Sequence, residues 1–156
     1  MLSKFEIDYN TSVLQLGEAV ILSVGTKDDG KYELAARLIE HGVMSEEYRE
    51  EFDDSTYSIS IVMDLLSKFI GKRKIVLYKP DEKLDILNRL LRTAGKELDN
   101  EYIDFSELPE FIRNDDMSEY AYKLRSVDDE YRVLPALYAD LFSEFLMGCR
   151  VKIKDE

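Results

Sequence analysis

At 156 residues with 45% apolar side chains, the chain has the length of one domain and the means to build a packed core. It carries 33 acidic against 21 basic residues, net −12. That balance disfavours broad, sequence-independent binding along a phosphate backbone and suits solubility and a basic protein partner. A single cysteine, Cys149, excludes an internal disulfide and a C-x-x-C zinc site; it reads as a small hydrophobe. The opening MLSKFEIDYN lacks a basic-then-apolar signal pattern, and no run reaches the roughly 18 apolar residues a bilayer span needs. The expectation is a soluble cytoplasmic protein with no membrane association.

In chain order, residues 4–8 read as a short strand with Phe5 and Ile7 on one face. Residues 13–24 are rich in Val, Ile and Leu and read as one or two strands, with Gly17 at a bend. Lys27-Asp28-Asp29-Gly30 is a hairpin turn, and residues 31–38 are the return strand or, equally, a helix. Ser45, with Glu46 and Glu47 behind it, reads as the N-cap of a short helix. After a polar break, Ile59, Val62, Met63, Leu66, Phe69 and Ile70 follow helical spacing from Ser58, and Gly71 closes that helix.

Residues 74–78 (KIVLY) suit the middle of a sheet. Pro80 and Asp81 start the next helix, buried through Leu84, Leu87, Leu91 and Ala94 and stopped by Gly95. Residues 101–105 form another short strand, and Ser106 caps a short helix. A loop over 113–117 and a helix from Ser118 to about Leu124 follow. Asp128, Asp129 and Glu130 mark the acidic, solvated start of a last helix, with Pro135 in its first turn and Leu134, Leu137, Leu141, Phe145 and Leu146 along it. Residues 149–156 are an edge strand or a frayed tail. The order implies an antiparallel hairpin first and parallel strand–helix units after it: one three-layer α/β domain over 1–156, a mixed sheet flanked by helices.

One stretch carries a family likeness. Phe69-Ile70-Gly71, then Ile75 to Leu77, Leu84, Leu87-Asn88-Arg89, Ala94-Gly95, Ile103-Asp104 and Glu107-Leu108 follow in order. Upstream stands His41-Gly42-Val43 with Ser45-Glu46. The pattern resembles the 3′–5′ exonucleases of the ribonuclease-H-like fold, the proofreading type, and implies that fold. The resemblance also implies four carboxylates holding two divalent metals, with a histidine as general base. Residues 5–8 resemble the family's D-x-E strand, which puts Asp8 at the first carboxylate and Asn10, a weaker ligand, at the second. Lys83 falls on the third, and Tyr78-Lys79 on the family's His-Asn pair. In the closing H-x4-D helix one register puts Tyr131 at the base and Ala136 at the acid; the other puts Pro135 at the base and keeps Asp140. The single histidine, His41, belongs to an earlier loop with a structural role.

The leading expectation is a catalytically degenerate exonuclease-like domain, without cofactor, that binds another protein as a regulatory or structural module. Lys83 would then pair with Asp8 in place of a lost metal, against the plainer expectation of a solvated first-turn lysine. A second expectation is an active nuclease using Mg²⁺ or Mn²⁺ on Asp8, Asp140 and a displaced acid such as Glu82, Asp81 or Asp85. A third is an unrelated acidic α/β adaptor. The basic clusters Lys72-Arg73-Lys74 and Arg89, Arg92, Lys96 read as solvated faces paired with acids such as Glu97 and Asp99, and the ten tyrosines as half-buried packing.

Overall fold

Strand pairing organises the molecule around the strand Glu18–Thr26. A computed structural model describes residues 1–7, 17–108 and 124–144. Along these run β1 (Ser3–Lys4), β2 (Glu18–Thr26), β3 (Tyr32–Glu40), β4 (Val43–Phe52), α1 (Thr56–Ile70), β5 (Lys74–Leu77), α2 (Pro80–Ala94), β6 (Glu101–Asp104) and α3 (Val127–Glu144). They form one mixed sheet of order β1-β6-β5-β2-β3-β4. β2, β3 and β4 make an antiparallel meander. β5 joins β2 in parallel, β6 joins β5 in parallel, and β1 joins β6 in parallel.

The Asp-Gly turn closes as its composition requires. Gly30 takes φ +86, a backbone region that favours glycine, and its N–H donates to the Lys27 carbonyl at 3.0 Å. Residues 32–40 resolve to strand because they pair with β2 over the full length, from Thr26 opposite Tyr32 to Glu18 opposite Glu40. Ser45 does not cap a helix. It lies inside β4, whose acidic run is held extended by its ladder with β3.

Among the described residues the first strand is also earlier than its alternation suggests: Ser3 and Lys4 pair with Glu101 and Tyr102, and the Phe5 N–H donates to the Tyr102 carbonyl at 2.8 Å. The helix expected from Ser58 begins at Thr56, because the Ser55 side chain accepts from the Ser58 N–H at 3.1 Å. Such a cap contributes about 1 kcal/mol. Pro80 at the start of α2 and Gly95 in the left-handed conformation at its end sit as expected.

The alternation of β2 splits the core in two. Val20, Leu22 and Val24 face α1 and α2, packing with Met63, Leu66, Ile70, Leu87 and Leu90. Ala19 and Ile21 face α3, packing with Phe105, Leu134, Tyr138 and Leu141. The sheet is therefore the middle of three layers. Pro135 lies well inside α3, not in its first turn. The helix starts further upstream because the Ser126 hydroxyl accepts from the Asp129 N–H at 3.1 Å and caps it. Ser106 stands directly before the helical residues 107–108, as expected; its N–H and hydroxyl both donate to Asp104, at 3.0 and 2.7 Å, and the residues that follow 108 lie outside the described ones. Asp8, Asn10, residues 13–16, the loop over 113–117, the helix start at Ser118, Phe145, Leu146, Cys149 and the tail over 149–156 lie outside the described residues.

Candidate functional site

β2 and β5 run parallel, so their carboxyl ends open on the same side of the sheet, where α/β proteins form crevices. Two helices begin there. α2 follows β5 through Tyr78 and Lys79, and Lys79 takes a left-handed conformation, φ 54 and ψ 65. For a lysine ahead of proline that is a strained position, worth about 1–2 kcal/mol. α3 begins behind its Ser126 cap, with the Asp129 carboxylate accepting from the Arg125 N–H at 3.2 Å. Between the two lies a cleft of about 750 Å³. Val24, Gly25, Thr26 and Glu33 line it from the meander, Lys79, Glu82, Lys83 and Ile86 from α2, and Leu124 to Val127 and Glu130 from α3.

Lys83 Nζ donates to Glu130 Oε2 at 3.0 Å, with the two side chains only 6% and 8% exposed. In so dry a place desolvation competes with attraction. Burial is the larger influence on Glu130 and raises its carboxyl above the ordinary value of 4.5, against the opposing pull of Lys83 and a smaller one from Ser23. The Ser23 hydroxyl is near enough to favour the charged carboxylate but not in hydrogen-bonding geometry. Among the described residues, Ser23 Oγ and Glu130 Oε1 both lie buried without a hydrogen-bond partner. Of the three carboxylates that line the cleft, Glu33, Glu82 and Glu130, the buried one is already bridged by an ammonium, which does not fit a pair of divalent cations that need several convergent oxygen ligands and no competing positive charge. Among the described residues, no group of three or more His, Cys, Asp or Glu side chains could hold a metal ion.

The expected site residues are scattered relative to this cleft. Asp8 and Asn10 fall outside the described residues, so the partner observed for Lys83 is Glu130. Lys83 is buried, which removes the reading of a solvated first-turn residue. Tyr131 points toward the meander: its hydroxyl accepts from Arg37 at 3.2 Å and the Arg49 guanidinium lies 4.3 Å from its ring centre. Pro135 is buried inside α3, while Ala136 and Asp140 are exposed further along it. None of Tyr131, Pro135 and Asp140 lines the cleft. Glu82 lines it and is exposed; Asp81 and Asp85 are exposed outside its lining.

His41 sits in the β3–β4 turn, where its N–H donates to the Gly17 carbonyl at 2.5 Å. Arg73 of the basic cluster binds Glu18 at 2.6 Å, and Lys96 binds Asp64 at 2.9 Å. Glu97 and Asp99 hold the N-terminal ammonium instead.

Sequence reasoning placed Glu130 on a solvated face and passed over Ser23 and Arg125. The signal was present in spacing: Glu130, Leu134, Tyr138 and Leu141 share one helical face, as do Lys83, Leu87 and Leu90. Ser126 followed by Asp129 is also a recognisable helix start. No family model matches the chain, and a search of curated proteins finds no match. No described helix is long and apolar enough to cross a membrane.

Proposed function

We propose that this chain is a catalytically degenerate exonuclease-like domain on a ribonuclease-H-like scaffold, working as a binding, regulatory or structural module. The observation that carries the reading is the buried Lys83–Glu130 pair at the mouth of the parallel strands. Lys83 stands where the resemblance calls for the third carboxylate. With β2 taken as the D-x-E strand in place of residues 5–8, that pair falls on Ser23 and Gly25. Counting the H-x4-D spacing back from Glu130 puts Arg125 at the base. Gly25, Lys83, Arg125 and Glu130 all line the one cleft, and Ser23 lies against Glu130 beneath it. In this register one acid of four survives, and its charge is taken by an ammonium. An antiparallel meander continued by parallel strand–helix units also supports the scaffold.

The test is trimming of an end-labelled single strand in Mg²⁺ and in Mn²⁺. The expected result is no metal-dependent shortening above a no-protein control. Mn²⁺-dependent shortening that disappears in Glu130→Gln would overturn the degenerate reading.

A further inference from the structure

A second cleft, of about 330 Å³, lies between α1 and the outer edge of β4, on the face of the sheet that α1 and α2 share. Among the described residues β4 pairs only with β3, so a ten-residue strand presents a row of backbone N–H and C=O groups outward. Its register turns Tyr48, Glu50 and Phe52 to the α1 side; Phe52 is buried and Tyr48 packs on Phe69. Over this edge α1 exposes Tyr57, Ile61 and Leu65, at 77%, 43% and 44%. They stand at i, i+4 and i+8, one face of the helix. Exposed apolar residues scattered singly need no explanation, but three in line above a groove beside an unpaired strand edge mark a contact surface.

Charge selects what fits. β4 carries Glu46, Glu47, Glu50 and Glu51 against Arg49 alone. Glu47 and Glu51 each hold one cation, Arg37 and Lys27, and retain acceptor capacity. Glu46 and Glu50 make no ion pair among the described residues. A second copy of β4 laid on this edge would set acids against acids, which destabilises strand pairing. A phosphate backbone is repelled for the same reason.

We propose that the β4 edge accepts, as an added strand, an extended segment of a partner protein in which apolar residues alternate with Lys or Arg. The apolar residues lie on Ile61 and Leu65, the cations reach Glu47 and Glu51 on the opposite face, and the backbone continues the sheet. The inference rests on the binding-module reading and supplies its surface and partner chemistry.

Residues 150–154 of this chain, Arg-Val-Lys-Ile-Lys, have the same alternation, so the experiment separates the two sources. A labelled peptide of alternating Lys and Val is titrated into the full chain by fluorescence anisotropy. A peptide of the same charge interrupted by proline is the control, since proline cannot complete the ladder. The expected result is binding weakened about tenfold or more by proline interruption, by Glu51→Lys and by Leu65→Asp. Glu51→Gln, which removes the charge on that face without adding a cation, takes the place of Glu51→Lys should that variant not fold.

Equal binding of the interrupted peptide, or no effect of Leu65→Asp, would overturn the proposal. So would tighter binding by a chain carrying Val151→Asp and Ile153→Asp, which would make the chain's own tail the occupant. Self-association lost in Leu65→Asp would make the occupant a second copy and overturn it too. The nuclease assay on the same preparation reports separately: metal-dependent trimming sinks the degenerate reading and leaves the peptide titration standing on its own.

Discussion

Lys83→Met alone and Glu130→Leu alone are each expected to lower the unfolding free energy by about 3–5 kcal/mol, while the double variant returns to within about 1 kcal/mol of the parent or exceeds it. Each single change leaves a charge at 6–8% exposure with no counter-charge bonded to it. The double change replaces both by apolar groups of similar volume, between Leu87 on one helix and Leu134 on the other. Urea unfolding of the four proteins at neutral pH closes the cycle; additive effects would mean that the pair is not coupled.

The pH dependence has a definite sign. Because Glu130 has a raised carboxyl in the folded state, the folded form holds the proton more tightly than the unfolded chain does. The stability this contributes is complete below the unfolded value of 4.5 and is lost as pH rises through the folded value. The difference in unfolding free energy between the parent and Glu130→Gln is therefore expected to shrink as pH rises across that window. A difference that grows with pH would mean that Lys83 outweighs burial.

Phe105→Ala is expected to cost about 3–5 kcal/mol. Phe105 follows β6 directly, is wholly buried, and packs in the core shared with Leu134, Tyr138 and Leu141 of α3. Its N–H also donates to the Leu77 carbonyl at 2.9 Å, so it joins the end of β5 to the seat of α3. Removing the ring loosens the helix that carries Glu130. Urea unfolding checks this, with Tyr57→Ala, 77% exposed, as the comparison expected to stay within about 0.5 kcal/mol. Equal losses in the two would show that α3 does not depend on that ring.

The second half of the sheet was legible because its signals are local. The apolar centre of β5, Pro80 at the start of α2 and left-handed Gly95 at its end each act within a few residues. β4 was misread for a physical reason. Most of its residues are exposed and acidic, so it lacks the apolar alternation of a half-buried strand, and Ser45 before two glutamates imitates a helix start. Its extended form comes from hydrogen bonds with β3, which propensity does not encode. Lys83 could be singled out from the resemblance, but its partner could not. Glu130 is 47 residues away, and only the docking of α2 and α3 on the same end of the sheet brings the two together.

The position of β2 at the seam between antiparallel and parallel pairing has a kinetic consequence. Thr26 meets Tyr32 across a short turn, whereas Ile21 meets Val76 only after the whole β3-β4-α1 segment has been placed. On a logarithmic loop-closure scale the second pairing costs about 2 kcal/mol more entropy than the first. The meander is then the template, and the half that carries the cleft condenses onto it later. Pulsed hydrogen exchange during refolding should protect the β2–β3 amides before those of β5; the reverse order would refute the sequence of events. During that interval an uncovered meander is open to association through its strand edges. The glutamates of β4 are in place from the start, so like-charge repulsion guards the nascent sheet before its helices arrive.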